Sequence, residues 1–491
     1  MKPGQCVRKA GRSCGAGVLV VSLVICLAGH FCSLPVLARP ADPPSGAGLP
    51  VAGGADVHGR PFIGPVRPPQ GRLVVLGFGG DLGFSGNNQP LAATGAIRHG
   101  KIIPWAELTS GLAPLLEADA TFANLETVIT DRNDLVPADR SFNFAASPEG
   151  VFAAARAGIN VLATANNHAA DYGGEGILET LRHLELARAH GLKAHAGLGV
   201  GQERYRSDVF QLGDVRVAIA AIGKGVNPAE PDGPGQPLQA RPIDFERVGL
   251  SLVGTGAQIR VLSVHYGEEL DTTVSDANRV RFRAAVDGGR ATIVFGHHSH
   301  VAAGIERRGN ALILYGLGNF LHAGTQNMAR YDECRDFGLH ARVYLWVEPG
   351  RDPVLRAVEL TPLMNMQEIT RPFPLPEARR RIEILNGLSA GLGSDGGQPL
   401  FLAATSTGSG LACIEDGQRH GDELEDRCRA LEKADIRIAS LLERSAQVCK
   451  PVPVIGKGAG GQTEGKPKTE TSVSKEAGRK KQPSKRSSKQ P

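Results

Sequence analysis

The chain has 491 residues and a net charge of +5, with 41% hydrophobic residues, 63 Gly and 32 Pro. That is enough apolar content for a substantial core, with many turns or unstructured flanks besides. The charge sits at the ends: 11 Lys and Arg against 3 Glu from Lys450 to Pro491, and Lys2, Arg8, Lys9 and Arg12 at the start, so the body between is near −7. A mildly acidic body makes nucleic acid an unlikely partner.

Residues 1–38 join that positive start to an apolar stretch, Gly15 to Leu37, with a small residue, Ala38, as a cleavage point. The segment predicts either a cleaved signal peptide or a retained anchor, since the stretch is long enough to span a bilayer. Both place the rest of the chain outside the cytoplasm. Residues 39–71 hold 15 Pro or Gly in 33 positions and read as a linker.

From Arg72 the pattern changes. "RLVVLGFGGD" and "DATFANLE" predict strands, and "SPEGVFAAARAG" predicts a helix capped at Ser147 or Pro148 that leads into the strand "INVLATANNH". "EGILETLRHLELARAHG" is an amphipathic helix ending at Gly191. "VRVAIAAIG", "QIRVLSVHYG", "ATIVFGHHSH" and "ALILYGLGNF" are further apolar strands, and "LHARVYLWVE" with "VLRAVELTPL" reads as a closing strand pair. Continuous apolar strands separated by helices predict an α/β domain over 72–365. Residues 366–450 read as a mostly helical, cysteine-bearing extension, and 451–491 as a basic, low-complexity tail. That tail would be a solvated end or a contact for a polyanion or an anionic surface.

Four of the eight cysteines lie in the first 38 residues. The others, Cys334, Cys413, Cys428 and Cys449, form an even set in a compartment that permits disulfides. A continuous helix from Gly421 would hold Cys428 and Cys449 about 31 Å apart, which removes that pair. Two connectivities remain: Cys413–Cys428 with Cys334–Cys449, or Cys413–Cys449 with Cys334–Cys428.

Five predicted strands end in polar clusters that together supply Asp81, Asn124, Glu126, Asn166, Asn167, His168, His265, Glu268, His297, His298 and His300. In open α/β sheets ligands gather at the carboxyl ends of strands. Carboxylate, amide and imidazole donors without thiolate favour divalent Zn, Mn, Fe or Mg, and two such ions suit phosphoryl hydrolysis. Read alone, the "HYG" histidine is a core ring satisfied by a backbone carbonyl, and the two asparagines are turn residues. The loop after Ile222 either lies over these strand ends and supplies Lys224 or is an ordinary surface loop, the reading favoured here. In "FGHHSH", strand alternation would send His298 and His300 the same way.

The series "GD" at Asp81, "NLE" at Asn124 to Glu126, "ANNHAADYG", "HYGEE", "GHHSHV" and "YGLGNF" resembles the CapA family of capsule and poly-γ-glutamate biosynthesis proteins, themselves similar to calcineurin-like metallophosphoesterases. The resemblance runs from about Leu73 to Phe320. It implies a four-layer α/β/β/α metallophosphatase-like sandwich holding one or two divalent ions. Asp81, Glu126, Asn167, His265, His298 and His300 would be ligands and His168 the catalytic acid. Asn124, Asn166, Glu268 and His297 are further candidates. Such phosphoesterases usually carry Asp-x-His on the first strand, where this chain has Asp81-Leu82-Gly83. The implied function is metal-dependent hydrolysis of a phosphoester, or action on an acidic envelope polymer, outside the cytoplasm. The alternative is a non-catalytic assembly or export factor working with membrane-bound polymer synthase subunits.

Overall fold

The computed structural model describes residues 71–88, 91–225, 232–237, 242–392, 396–414, 422–431, 440, 443, 448 and 449. The signal or anchor segment 1–38, nearly all of the linker and the tail 451–491 lie outside the described residues. Among those described, no helix is long and apolar enough to cross a membrane.

In chain order the strands that frame the domain are β1 (Arg72–Gly83), β2 (Ala120–Leu125), β3 (Ile159–Ala163), β4 (Ala194–Ala196), β5 (Asp208–Leu212), β6 (Val215–Gly223), β7 (Ile259–His265), β8 (Ile293–His297), β9 (Ile305–Arg308), β10 (Ala311–Leu314), β11 (Asn319–His322), β12 (Gly338–Val347) and β13 (Val354–Met364). One sheet runs β13-β12-β1-β2-β3-β4, with β11 beside the end of β1; the other runs β5-β6-β7-β8-β10-β9. Within each, the central strands are parallel: β1 to β4 in the first, β6, β7, β8 and β10 in the second.

Period-2 alternation explains why the sheets stack. Val217, Ile219 and Ala221 join Phe78, Phe122, Val161 and Phe295 in one core between the sheets, while Ala218, Ala220 and Ile222 face outward. The rings of Phe78, Phe122 and Phe295 seal the sandwich, with centroids 4.9 to 6.1 Å apart. Helices α1 (Pro148–Ala157) and α2 (Gly173–Ala187) cover the outside of the first sheet, and α3 (Pro242–Gly254) and α4 (Asp276–Asp287) cover the second. The result is a four-layer α/β/β/α sandwich. Local chemistry agrees: Ser147 caps α1 by accepting from Glu149 N, and Gly158 ends it at φ 109°.

The C-terminal extension is mostly helical, as expected, and adds short strands to the sheets. It contributes α5 (Leu375–Ala390) and α6 (Glu423–Leu431), but between them Ala403–Ala404 and Gly410–Cys413 extend the first sheet beyond β13, and Gln398–Pro399 pairs with β9. The outer edges of β9 and β13 offered unpaired backbone groups, and the short segments Gln398–Pro399 and Gly410–Cys413 pair with them. Cys334 bonds to Cys449 and Cys413 to Cys428, the first of the two connectivities left open. Most of the helix expected beyond Leu431 lies outside the described residues.

Candidate metal centre

Because β1, β2, β3, β7 and β8 run parallel within their sheets, their carboxyl ends deliver side chains to one rim. β1 brings Asp81, the residue after β2 is Glu126, and the turn after β3 holds Asn166, Asn167 and His168. His265 ends β7, His297 ends β8, and His298 and His300 follow. The chain has left the strand by then. His298 and His300 have φ values of 86° and 57°, so left-handed backbone, not strand alternation, aims the two rings. The expectation from β periodicity is therefore corrected, since the strand stops one residue too early for it to act.

The centre is dry. Asp81, Asn124, Glu126, Asn166, His265 and His297 are essentially unexposed, and the His300 side chain is 15% exposed. Two ligand groups, each with donor atoms within 4.8 Å of one another, share Glu126: Glu126 with His265 and His298, and Asp81 with Glu126 and His300. His265 Nε2 lies 3.3 Å from Glu126 Oε1 and 2.6 Å from Asn167 Oδ1. His300 Nδ1 lies 3.3 Å from Asp81 Oδ2 and 2.9 Å from Asn319 Oδ1. Asn124 Nδ2 donates to Asp81 Oδ1 at 2.8 Å and lies 3.1 Å from His265 Nδ1. No backbone carbonyl satisfies His265, contrary to the reading of its motif alone.

Both oxygens of Glu126 lack a hydrogen-bond partner, as do both ring nitrogens of His297 and Nδ1 of His298. Leaving a buried carboxylate unbonded costs several kcal/mol in ordinary protein. Here the imidazoles balance its charge through space. Burial acts to raise the Glu126 pKa, but His265 and His300 outweigh it and hold the carboxyl well below its usual range. Burial and Glu126 likewise push Asp81 up, and His297 and His300 overcome them. For His300, burial is outweighed by Glu126 and Asp81, which raise its pKa to about 10, whereas burial drives His298 down to about 2. An orphaned carboxylate shared between two sets of donors, with no thiolate present, fits divalent cations.

His168 stands beside the ligand groups. Its Nδ1 lies 2.8 Å from Asp171 Oδ2, and buried Asp171 also accepts from Phe144 N at 2.7 Å and Arg140 Nη1 at 3.1 Å. These contacts lock the ring at the edge of a cavity of about 140 Å³ lined by Phe142, Phe144, His168, Glu269, His300 and Tyr331 among others.

The two asparagines divide their roles. Asn166 builds the turn, accepting from His168 N and donating to Leu125 O, while Asn167 meets His265. Glu268 is exposed and belongs to neither ligand group; it turns the chain after β7, accepting from Asp271 N. His297 Nδ1 lies 3.2 Å from Asp81 Oδ1. Lys224 is not ordinary surface: its Nζ is 3.3 Å from His298 Nε2. Nearby, Gln236 donates to Asn166 O. Sequence reasoning also missed Asp171, three residues past His168, and His322, a third histidine that ends a strand, two residues after "GNF".

Residues 75–323, just over half of the chain, match the family model for the bacterial capsule synthesis protein PGA_cap. The PGA biosynthesis protein CapA of Bacillus subtilis (strain 168) is 32% identical over 213 residues, covering 42% of this chain and 54% of the relative. A "probable polyglutamine synthesis accessory protein" of Mycobacterium tuberculosis (strain CDC 1551 / Oshkosh) is 29% identical over 229 residues, covering 44% and 58%. The chain thus spans little more than half the length of these curated relatives. Among solved structures, the calcineurin-like phosphoesterase YfkN from Bacillus subtilis aligns at 11% identity and a TM-score of 0.31, covering 58% of this chain and 90% of that one.

Proposed function

From the premise that the chain belongs to the bacterial capsule synthesis protein family PGA_cap, we propose that it serves production of a capsule or poly-γ-glutamate-type polymer as a metal-dependent, phosphoesterase-type hydrolase outside the cytoplasm. The observation that carries this reading is Glu126, buried with two unbonded oxygens between the two ligand groups. Asp81, Glu126, Asn167, His265, His298 and His300 would hold one or two ions of the Mn, Zn, Fe or Mg class. Such ions lower the pKa of a bound water and offset charge on a phosphoryl group. His168 does the proton work. With Nδ1 tied to Asp171, its Nε2 is left to give a proton to the leaving oxygen. Lys224, beside His298, offers a cation to an anionic substrate oxygen. The two disulfides favour the extracytoplasmic compartment.

Elemental analysis of the purified protein, followed by hydrolysis assays on a panel of phosphoesters, tests the reading. His168→Ala is expected to lower hydrolysis by about 10²- to 10⁴-fold with metal content unchanged. Protein without metal and without activity on any phosphoester would refute it.

A second reading, an assembly or export factor that binds an acidic polymer or membrane-bound synthase subunits, draws on Gly83, where an imidazole is missing from the first strand. It gains if Asp81→Ala leaves polymer production in cells untouched.

A further inference from the structure

Gly83 closes β1 and pairs in parallel register with His322 on β11. A Cβ on Gly83 would stand 2.7 Å from His322 Cε1 and 3.0 Å from its Nε2. Real Cβ atoms do not approach other heavy atoms so closely, so the ring keeps its place only because residue 83 has no side chain. His322 is wholly buried. Phe144 and His300 wall it edge-on at centroid distances of 5.6 and 5.9 Å.

The ring's hydrogen bonding says what it can do. His322 Nδ1 accepts the Gly324 N–H at 3.2 Å, so the neutral ring carries its proton on Nε2. That Nε2 has no partner and faces Glu126 Oε2 at 3.5 Å. His322 joins neither ligand group; its polar contact is with the carboxylate the two groups share.

We propose that His322, admitted by the bare backbone of Gly83, is a positioning residue that aims the shared Glu126 carboxylate through its Nε2–H. The inference rests on the reading of Glu126 as a metal ligand. A carboxylate has about four lone-pair sites, so Oε2 can accept from His322 and still face a cation. Moving Oε2 about half an ångström toward the ring brings the pair to hydrogen-bond length. Fixing one oxygen this way stops the carboxylate from swinging between the two ligand groups. Removing such an outer partner typically weakens metal affinity by about 10- to 100-fold.

The test is titration of the full chain with Mn²⁺ and with Zn²⁺ against a competing chelator. His322→Phe and His322→Leu fill the space without donating, and His322→Gln donates through its amide. The Phe and Leu variants are expected to bind about 10- to 100-fold more weakly than wild type. The number of ions at saturation, and the melting temperature in chelator, should not change. Gln is expected to recover most of the loss, which mere space-filling would not produce. Gly83→Ala, which crowds the ring away from Glu126, is expected to weaken binding in the same direction. Wild-type affinity in Phe and Leu, or loss of a whole ion at saturation, overturns the proposal while leaving the metal centre standing. A wild type that takes up no ion overturns the metal-centre reading and this proposal with it.

Discussion

Glu306 and Glu126 are both wholly buried, yet their surroundings are opposite. Glu306, on β9, is finished: Arg283 donates from Nε to Oε1 and from Nη2 to Oε2, each at 2.9 Å, and the Tyr315 hydroxyl donates to Oε2 at 3.0 Å. Glu126 has imidazole nitrogens at 3.3 and 3.5 Å but no hydrogen bond to either oxygen. One fold therefore contains a buried carboxylate whose oxygens its own chain satisfies and another whose oxygens are left without a hydrogen bond. Burial of charge does not by itself mark function. The unfilled lone pairs do.

The largest effect that would test the contrast belongs to the completed pair. Glu306→Gln removes the buried charge opposite Arg283 and is expected to cost about 3–5 kcal/mol of stability, read from urea denaturation. A cost below about 1 kcal/mol would place Glu306 among ordinary surface-like pairs and remove the comparison. Glu126→Gln breaks no hydrogen bond. In chelator its stability should stay within about 1 kcal/mol of wild type. What it should lose is response to metal: wild type gains about 2.7 kcal/mol at an ion concentration a hundred times its Kd, and the Gln variant should gain almost nothing. If Glu126→Gln instead unfolds the chelated protein as Glu306→Gln does, the carboxylate is structural.

The same contrast explains what was legible in the sequence. The apolar runs from β1 to β10 and the capped helix α1 gave the α/β class, because burial on both faces leaves a continuous pattern that needs no tertiary knowledge; the four layers came from the resemblance to the CapA family. Asp81, Glu126, Asn167 and His265 were readable as strand-end residues for the same reason. His298 and His300 lie at the rim, but strand alternation does not bring them there, since their left-handed backbone is a tertiary property. His322 was hidden, and Lys224 was set aside as surface, because nothing local announces them. Lys224 sits in a loop of ordinary surface composition, and His322 depends on the side chain missing 239 positions earlier at Gly83. The extension's helices were legible, but the strands between them were not, because they are two to four residues long, too short for alternation to show. They form by borrowing the edges of β9 and β13.

His340 sets a limit on the rule and carries the smallest expected effect. It is buried on β12 with Nε2 unpartnered, its ring stacked on Phe320 at 5.8 Å. Among the described residues no carboxylate pairs with it, so its orphan nitrogen marks packing, not a ligand set. Burial pushes its pKa from 6.5 down to about 3. The sign follows from proton counting. Between those values the unfolded chain binds a proton that the folded chain refuses, so stability is full above 6.5 and falls as the pH is lowered toward 3. The slope for one group is about 1.4 kcal/mol per pH unit. Denaturation at saturating metal, which occupies the rim histidines, isolates this group. His340→Phe should flatten the curve between pH 6.5 and 5 by that single proton and leave metal affinity unchanged. An unaltered slope would mean His340 is protonated inside the fold, and an altered metal affinity would draw it into the centre. Either result would show that an isolated buried imidazole and a clustered one are not distinguished by the carboxylates beside them.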